Sequence, residues 1–169
     1  MPVRSRPSTR VHDLDDLPDV LQFMQLLWAV VHALEKTSKR MSNDFGVTGP
    51  QRLVLRVVGL FPGVSAGNLA TVLHLHPSTL TGILRRLSGR RLLVRSADPA
   101  DRRRSVLRLS PRGARINAAG TGTVEAAIRS SLRRLSAGDL AATRRALDVI
   151  ATQLEQNGAA SLRRLQRRK

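Results

Sequence analysis

Residues 65–87 read SAGNLATVLHLHPSTLTGILRRL, and this stretch decides the fold. Ser65 is a capping residue ahead of a short helix whose inward side carries Leu69, Ala70 and Leu73. His74-Leu75-His76 makes a turn, and Pro77 suits the start of a second helix that buries Leu80, Ile83, Leu84 and Leu87. Two short helices joined by a tight turn are a helix-turn-helix, whose second helix enters the DNA major groove. With the inward positions assigned, Ser78, Thr79, Thr81, Gly82, Arg85 and Arg86 remain near the outer face. Arginine forks onto guanine O6 and N7, hydroxyls bond bases or phosphates, and a glycine lets the helix approach the groove closely. Ser65, His76 and Pro77, at the two helix starts, complete the candidate DNA contacts on this motif.

Downstream the period changes. Residues 92–96 and 105–109 partly alternate apolar and polar side chains, as strands do, around the turn-rich charged loop 97–104. This is a β-hairpin with an extended tip, a wing. Arg102, Arg103 and Arg104 at the tip would reach a minor groove, where narrow A·T tracts attract arginine. Asp98 and Asp101 would hold neighbouring arginines in place by charge-assisted hydrogen bonds. From Arg85 to Arg115 there are eleven arginines against two acids. A helix-turn-helix alone occurs in proteins that touch no DNA, and an arginine-rich hairpin is often only a solvated face. Their contiguity within one charge cluster points to DNA.

The stretch 65–113 resembles the MarR family of bacterial and archaeal regulators. The resemblance rests on the wing run Asp98-Pro99-Ala100-Asp101-Arg102-Arg103 and on the strand ending Leu109-Ser110-Pro111-Arg112-Gly113. With the flanking helices it extends over about residues 15–157. It implies a triangular homodimer held by the first and the last two long helices. It also implies major-groove reading by helix 77–90 and a wing-tip contact from Arg102 or Arg103. Two departures stand out: Gly82 replaces a frequent basic residue, shifting readout towards Arg85 and Thr81, and His76 replaces a frequent capping Ser and would touch a phosphate instead. Many such regulators bind small, often aromatic anions between the dimer helices and the DNA-binding lobe. Trp28 and His32, one helical turn apart, would line such an effector pocket; the simpler reading makes Trp28 dimer core and His32 surface.

Upstream, residues 14–45 place Leu17, Leu21, Met24, Trp28, Val31, Leu34 and Met41 at helical spacing. Phe23, Leu26, Leu27 and Val30 widen this stripe beyond the needs of one small domain. The acidic residues Asp13, Asp15, Asp16 and Asp19 suit a helix N-terminus. Thr48-Gly49-Pro50-Gln51 reads as a capping box with an early proline, opening a helix that Pro62-Gly63 ends. After the wing, Ser110-Pro111 starts a helix expected to run to about 135, weakened by Gly120 and Gly122. A last helix follows Asp139, with Gly158 as its expected end.

The fold expected is mainly α with a small β-hairpin wing. Its parts are an N-terminal arm and first dimerisation helix (1–47), a winged helix-turn-helix (48–110), C-terminal dimerisation helices (111–158) and a basic tail (159–169). The chain of 169 residues carries 29 Lys and Arg against 12 Asp and Glu, a net charge of +17 that favours a polyanionic partner. Cysteine is absent, which excludes disulfides and thiol chemistry. No apolar run approaches a membrane span, and the basic start lacks a signal peptide's apolar core, so a cytoplasmic location is expected. His74 and His76 make a poor metal pair, having no nearby carboxylate or thiolate. No cofactor is implied, and no phosphate loop or paired His/carboxylate motif suggests an enzyme. The expected function is a homodimeric, sequence-specific transcriptional regulator on a palindromic site, with release by a small effector as a further expectation. The alternative is a sequence-tolerant architectural DNA binder of the nucleoid type, which the large charge favours; a protein-interaction module would show no salt-dependent DNA binding.

Overall fold

A computed structural model describes residues 17–98 and 105–166, the side chains beyond 158 excepted. The chain divides into two compact units, Met1–Val124 and Glu125–Lys169. The first contains helices α1 (Asp19–Phe45), α2 (Gly49–Leu60), α3 (Ala66–Val72), α4 (Pro77–Gly89) and α5 (Pro111–Ala118). Its strands β1 (Val64–Ser65), β2 (Leu93–Ala97) and β3 (Ser105–Leu109) form an antiparallel sheet in the order β1-β3-β2. Helices α6 (Val124–Leu132) and α7 (Ala137–Gln166) make up nearly all that is described of the second unit.

Helix α2 is the hub of the first unit. It buries Val54, Leu55, Val57 and Val58 against Leu69 of α3, Leu80, Ile83, Leu84 and Leu87 of α4, and Leu93 and Leu107 of the sheet. At roughly 1.5–3 kcal/mol per fully buried aliphatic side chain, this one cluster is the main source of the unit's stability. The start of α2 is doubly secured: Thr48 N–H donates to Gln51 Oε1 at 3.1 Å, closing the capping box, and Gly49 N–H donates to Ser38 Oγ of α1 at 2.7 Å.

The helix-turn-helix angle comes from the end of α3. Leu75 N–H bonds Ala70 O and His74 N–H bonds Thr71 O, a Schellman closure with His74 in the left-handed region at φ 49°. Helix α4 ends the same way: Leu92 N–H bonds Leu87 O, Arg91 N–H bonds Ser88 O, and Arg91 has φ 57°. Leu87 and Leu92, the apolar pair of that closure, are fully buried. Two non-glycine residues thus hold conformations that glycine adopts more easily.

Three boundaries differ from the sequence expectation. Helix α1 begins at Asp19, because Pro18 keeps the residue before it out of the helical region. The helix expected over 111–135 breaks at 119–123: Ala119 turns out of the helix (φ −56°, ψ 120°) and Gly122 is left-handed at φ 67°. Helix α7 passes through Gly158 to Gln166, since one interior glycine costs only about 1 kcal/mol and helix formers follow it. Strand β1, paired to β3 through Val64↔Leu107 and Ser65↔Val106, is too short to carry a periodic signal.

Candidate nucleic-acid interface

The buried residues of α4 fix what it presents outward. With Leu80, Ile83, Leu84 and Leu87 inside, the opposite ridge at helical spacing is Ser78, Gly82, Arg85 and Gly89, flanked by Thr81 and Arg86. Ser78, Thr79, Thr81, Arg85 and Arg86 are exposed and Gly82 is partly so. A methyl group added at Gly82 would meet nothing within 4 Å. The middle of the ridge is therefore a shallow notch between a serine and an arginine.

Several of these side chains already have local work. His76 is the N-cap of α4, and its Nδ1 accepts from Ser78 N–H at 3.3 Å and lies 2.7 Å from Ser78 Oγ. That cap requires a bare Nδ1, which places the ring proton on Nε2 as a donor. His76 thus caps α4 itself, in place of a serine. Thr81 donates its hydroxyl proton to Pro77 O at 2.8 Å, so it offers a partner only an oxygen lone pair and a methyl group. Ser65 caps α3, accepting from Asn68 N–H at 3.2 Å. Pro77 is exposed at the first position of α4.

The wing arms pair Leu93↔Leu109, Arg95↔Leu107 and Ala97↔Ser105, with Val94↔Arg108 and Ser96↔Val106 on the other face. Arg95 Nε donates to Ser105 Oγ at 2.7 Å, tying one arm to the other, and Arg108 is exposed. Arg95 and Arg108 are two exposed wing cations that no strand periodicity singles out. Asp98 closes β2 and is half-buried. Asp101, Arg102, Arg103 and Arg104 lie outside the described residues.

The base of the wing shows why a serine and a glycine stand three apart at 110 and 113. Ser110 N–H bonds Leu92 O at 3.1 Å, its hydroxyl donates to Arg91 O at 2.6 Å, and its Oγ accepts from Gly113 N–H at 2.9 Å. A Cβ at Gly113 would collide with the backbone carbonyl of Leu92. Serine caps α5 while the glycine lets it lie directly on the backbone of Leu92, at the turn from α4 into β2.

Trp28 and His32 are both exposed on α1, Trp28 to 64%. Val20, Leu26 and Val30 on the same helix are also exposed. In the second unit Leu147, Val149 and Leu154 of α7 are 50–66% exposed. Such large apolar side chains in water mark association surfaces. None of the described helices is long and apolar enough to cross a membrane.

Residues 45–104 match the sequence profile of the MarR family. YsmB of Bacillus subtilis (strain 168), an uncharacterized HTH-type transcriptional regulator, is 27% identical over 103 residues, covering 61% of this chain and 68% of that protein. The fold is similar to that of the PcaV transcriptional regulator from Streptomyces coelicolor in complex with its natural ligand. That likeness has a TM-score of 0.61 and 26% identity, over 86% of this chain and 98% of that one. It is also similar to S. aureus MepR in a complex with DNA, with a TM-score of 0.64 and 20% identity over 78% of this chain and 97% of that one.

Proposed function

We propose that this protein, whose residues 45–104 match the MarR family profile, is a homodimeric, sequence-specific transcriptional regulator of that family that binds double-stranded DNA. The observation that carries this reading is the outward ridge of α4, in a region where residues 48–124 hold thirteen arginines against two acids. In this reading the ridge enters the major groove. Arg85 forks onto a guanine, Thr81 gives its methyl or lone pair to a base, and Gly82 admits the groove edge. Ser78, Thr79 and Arg86 contact base edges or backbone, and His76 Nε2 and the α3 start at Ser65 meet phosphates. The wing arginines, Arg102–Arg104 at the tip, follow the adjacent minor groove, with Asp98 and Asp101 ordering them.

The exposed apolar side chains of α1 and of α7 are assigned to the dimer contact, with Trp28 among them. A dimer presents two recognition helices and so reads a two-fold site with half-sites about one helical turn apart. Residues 48–110 serve as the DNA-binding region, with 1–47 and 111–158 supplying the dimer helices. PcaV was solved with its natural ligand, and a small-molecule effector is the corresponding expectation here. The protein acts as a binder rather than a catalyst, in the cytoplasm where its DNA is.

The test is selection of bound duplexes from a random pool, followed by titration of the recovered site and a scrambled duplex at one salt concentration. A specific-to-scrambled ratio of about a thousandfold or more is expected. A ratio near one overturns the regulator reading in favour of an architectural binder, and absence of salt-dependent binding removes DNA altogether.

A further inference from the structure

The two arginines that follow α4 point to different work. Arg90 is half-buried, and its guanidinium lies against Gly46, the left-handed residue that ends α1. Helix α1 has no basic residue in its own last turn, so Arg90 supplies the cation that a helix C-terminus favours. Arg91 is exposed, and none of the hydrogen bonds among the described residues involves its guanidinium. In the chain it stands between α4, the recognition helix, and β2, the first arm of the wing.

Arg91 also holds a backbone that suits glycine. Its φ is 57°, and His74 is the other non-glycine residue with positive φ among the described residues. Bonds on either side keep it there: Arg91 N–H donates to Ser88 O, Leu92 N–H donates to Leu87 O, and the Ser110 hydroxyl donates to Arg91 O at 2.6 Å. A helix closed in this way usually carries glycine at the left-handed position. Any other residue there is strained. The apolar contact of the closure, Leu87 with Leu92, does not use the Arg91 side chain. The α4 dipole favours a cation, but Arg86 already stands in its last turn. What the guanidinium does therefore lies outside the protein.

We propose that Arg91 is a phosphate contact of the DNA complex, a cation held at the crossing from α4 to the wing on a backbone that disfavours it. This rests on the DNA-binding reading above. In that reading α4 occupies the major groove and the wing follows the adjacent minor groove. The sugar–phosphate strand that separates the two grooves has to be crossed by the chain between them, and residues 90–92 are that connection. The last carbonyls of α4 carry negative potential towards that strand. An exposed arginine at the crossing offsets their repulsion and binds the phosphates, with no dependence on base sequence.

The full-length protein is titrated with the selected duplex and a scrambled one over a range of salt, and its melting temperature is measured alongside. Three substitutions separate charge from backbone. Arg91→Gly removes the charge and relieves the backbone. It should raise the melting temperature by about 1–4 °C. It should also weaken both duplexes by roughly three- to tenfold and flatten the slope of log K against log salt by about 0.9. Arg91→Gln removes the charge and keeps the strain, so it should bind as weakly as Arg91→Gly without the gain in melting temperature. Arg91→Lys keeps both and should stay within about twofold of wild type on either duplex. An unchanged salt slope in Arg91→Gly and Arg91→Gln overturns the proposal. So does a loss confined to the selected duplex, which makes Arg91 a base contact. Wild-type binding by Arg91→Gln, with a lowered melting temperature in Arg91→Gly, overturns it in favour of a structural role. Wild-type protein that binds neither duplex in a salt-dependent way removes the DNA reading itself, a failure seen before any substitution is made.

Discussion

Arg85 and Gly82 lie side by side on the α4 ridge and make opposite demands of a substitution. Arg85 is exposed, so its replacement leaves the fold untouched. Arg85→Ala should cost about 1–3 kcal/mol on the selected site and relax preference at one base position per half-site. An equal loss on scrambled DNA would make it a phosphate contact. Gly82 sits inside a helix with open space around it. Gly82→Ala should therefore raise fold stability by roughly 1 kcal/mol in a denaturant melt. On the selected site it should bind more weakly, because the added methyl fills the notch that meets the groove. Stronger binding together with higher stability would show that the notch has no role. Gly113 is the structural counterpart. Its Cβ would meet the Leu92 carbonyl, backbone that cannot swing aside, so Gly113→Ala should lower stability by about 2–4 kcal/mol.

At the scale of elements, the proposed complex divides the work of binding between the helix-turn-helix and the wing. With the recognition helix in the major groove, the wing would be left an electrostatic share. Neutralising Arg102 and Arg103 together should weaken selected and scrambled duplexes by similar factors. It should also flatten the slope of log K against log salt by roughly one to two units, as each phosphate contact contributes about 0.9. A salt titration of both duplexes decides it; an unchanged slope would leave the tip in solvent. The turn between α3 and α4 offers a separate test. His74 holds a left-handed backbone that favours glycine, so His74→Gly should stabilise the fold by up to about 1 kcal/mol without altering the α4 ridge. A destabilised variant would mean that the imidazole makes contacts that outweigh its backbone strain.

For the whole molecule, the exposed apolar side chains of α1 and α7 are the dominant fact. One chain of 18.5 kDa leaves Leu26 67% and Val149 66% exposed. Light scattering at micromolar concentration should give twice the chain mass. Leu26→Glu places a charge in the proposed contact and should shift the protein towards monomer. It should also lower affinity for the two-fold site far more than for a single half-site. A wild-type monomer at every concentration would end the dimer reading, and with it the palindromic site.

Much of this was legible in the sequence because it depends on neighbours along the chain. The 3.6-residue spacing of Leu80, Ile83, Leu84 and Leu87 alone determined which side of α4 faces out. Thr48 with Gln51, and Ser110 with Pro111, marked their helix starts because caps act over three residues. The arginine excess around the wing needed only counting. Tertiary structure decided what depends on residues far apart. Val64 and Ser65 become a strand only because β3 lies beside them. Gly113 reads as an ordinary helix residue until the Leu92 carbonyl arrives against it. Arg52 looks like one cation among many until folding brings it to carbonyls 64 to 67 residues away. A periodic pattern records which side of an element is buried; which partner waits there is a property of the packed chain.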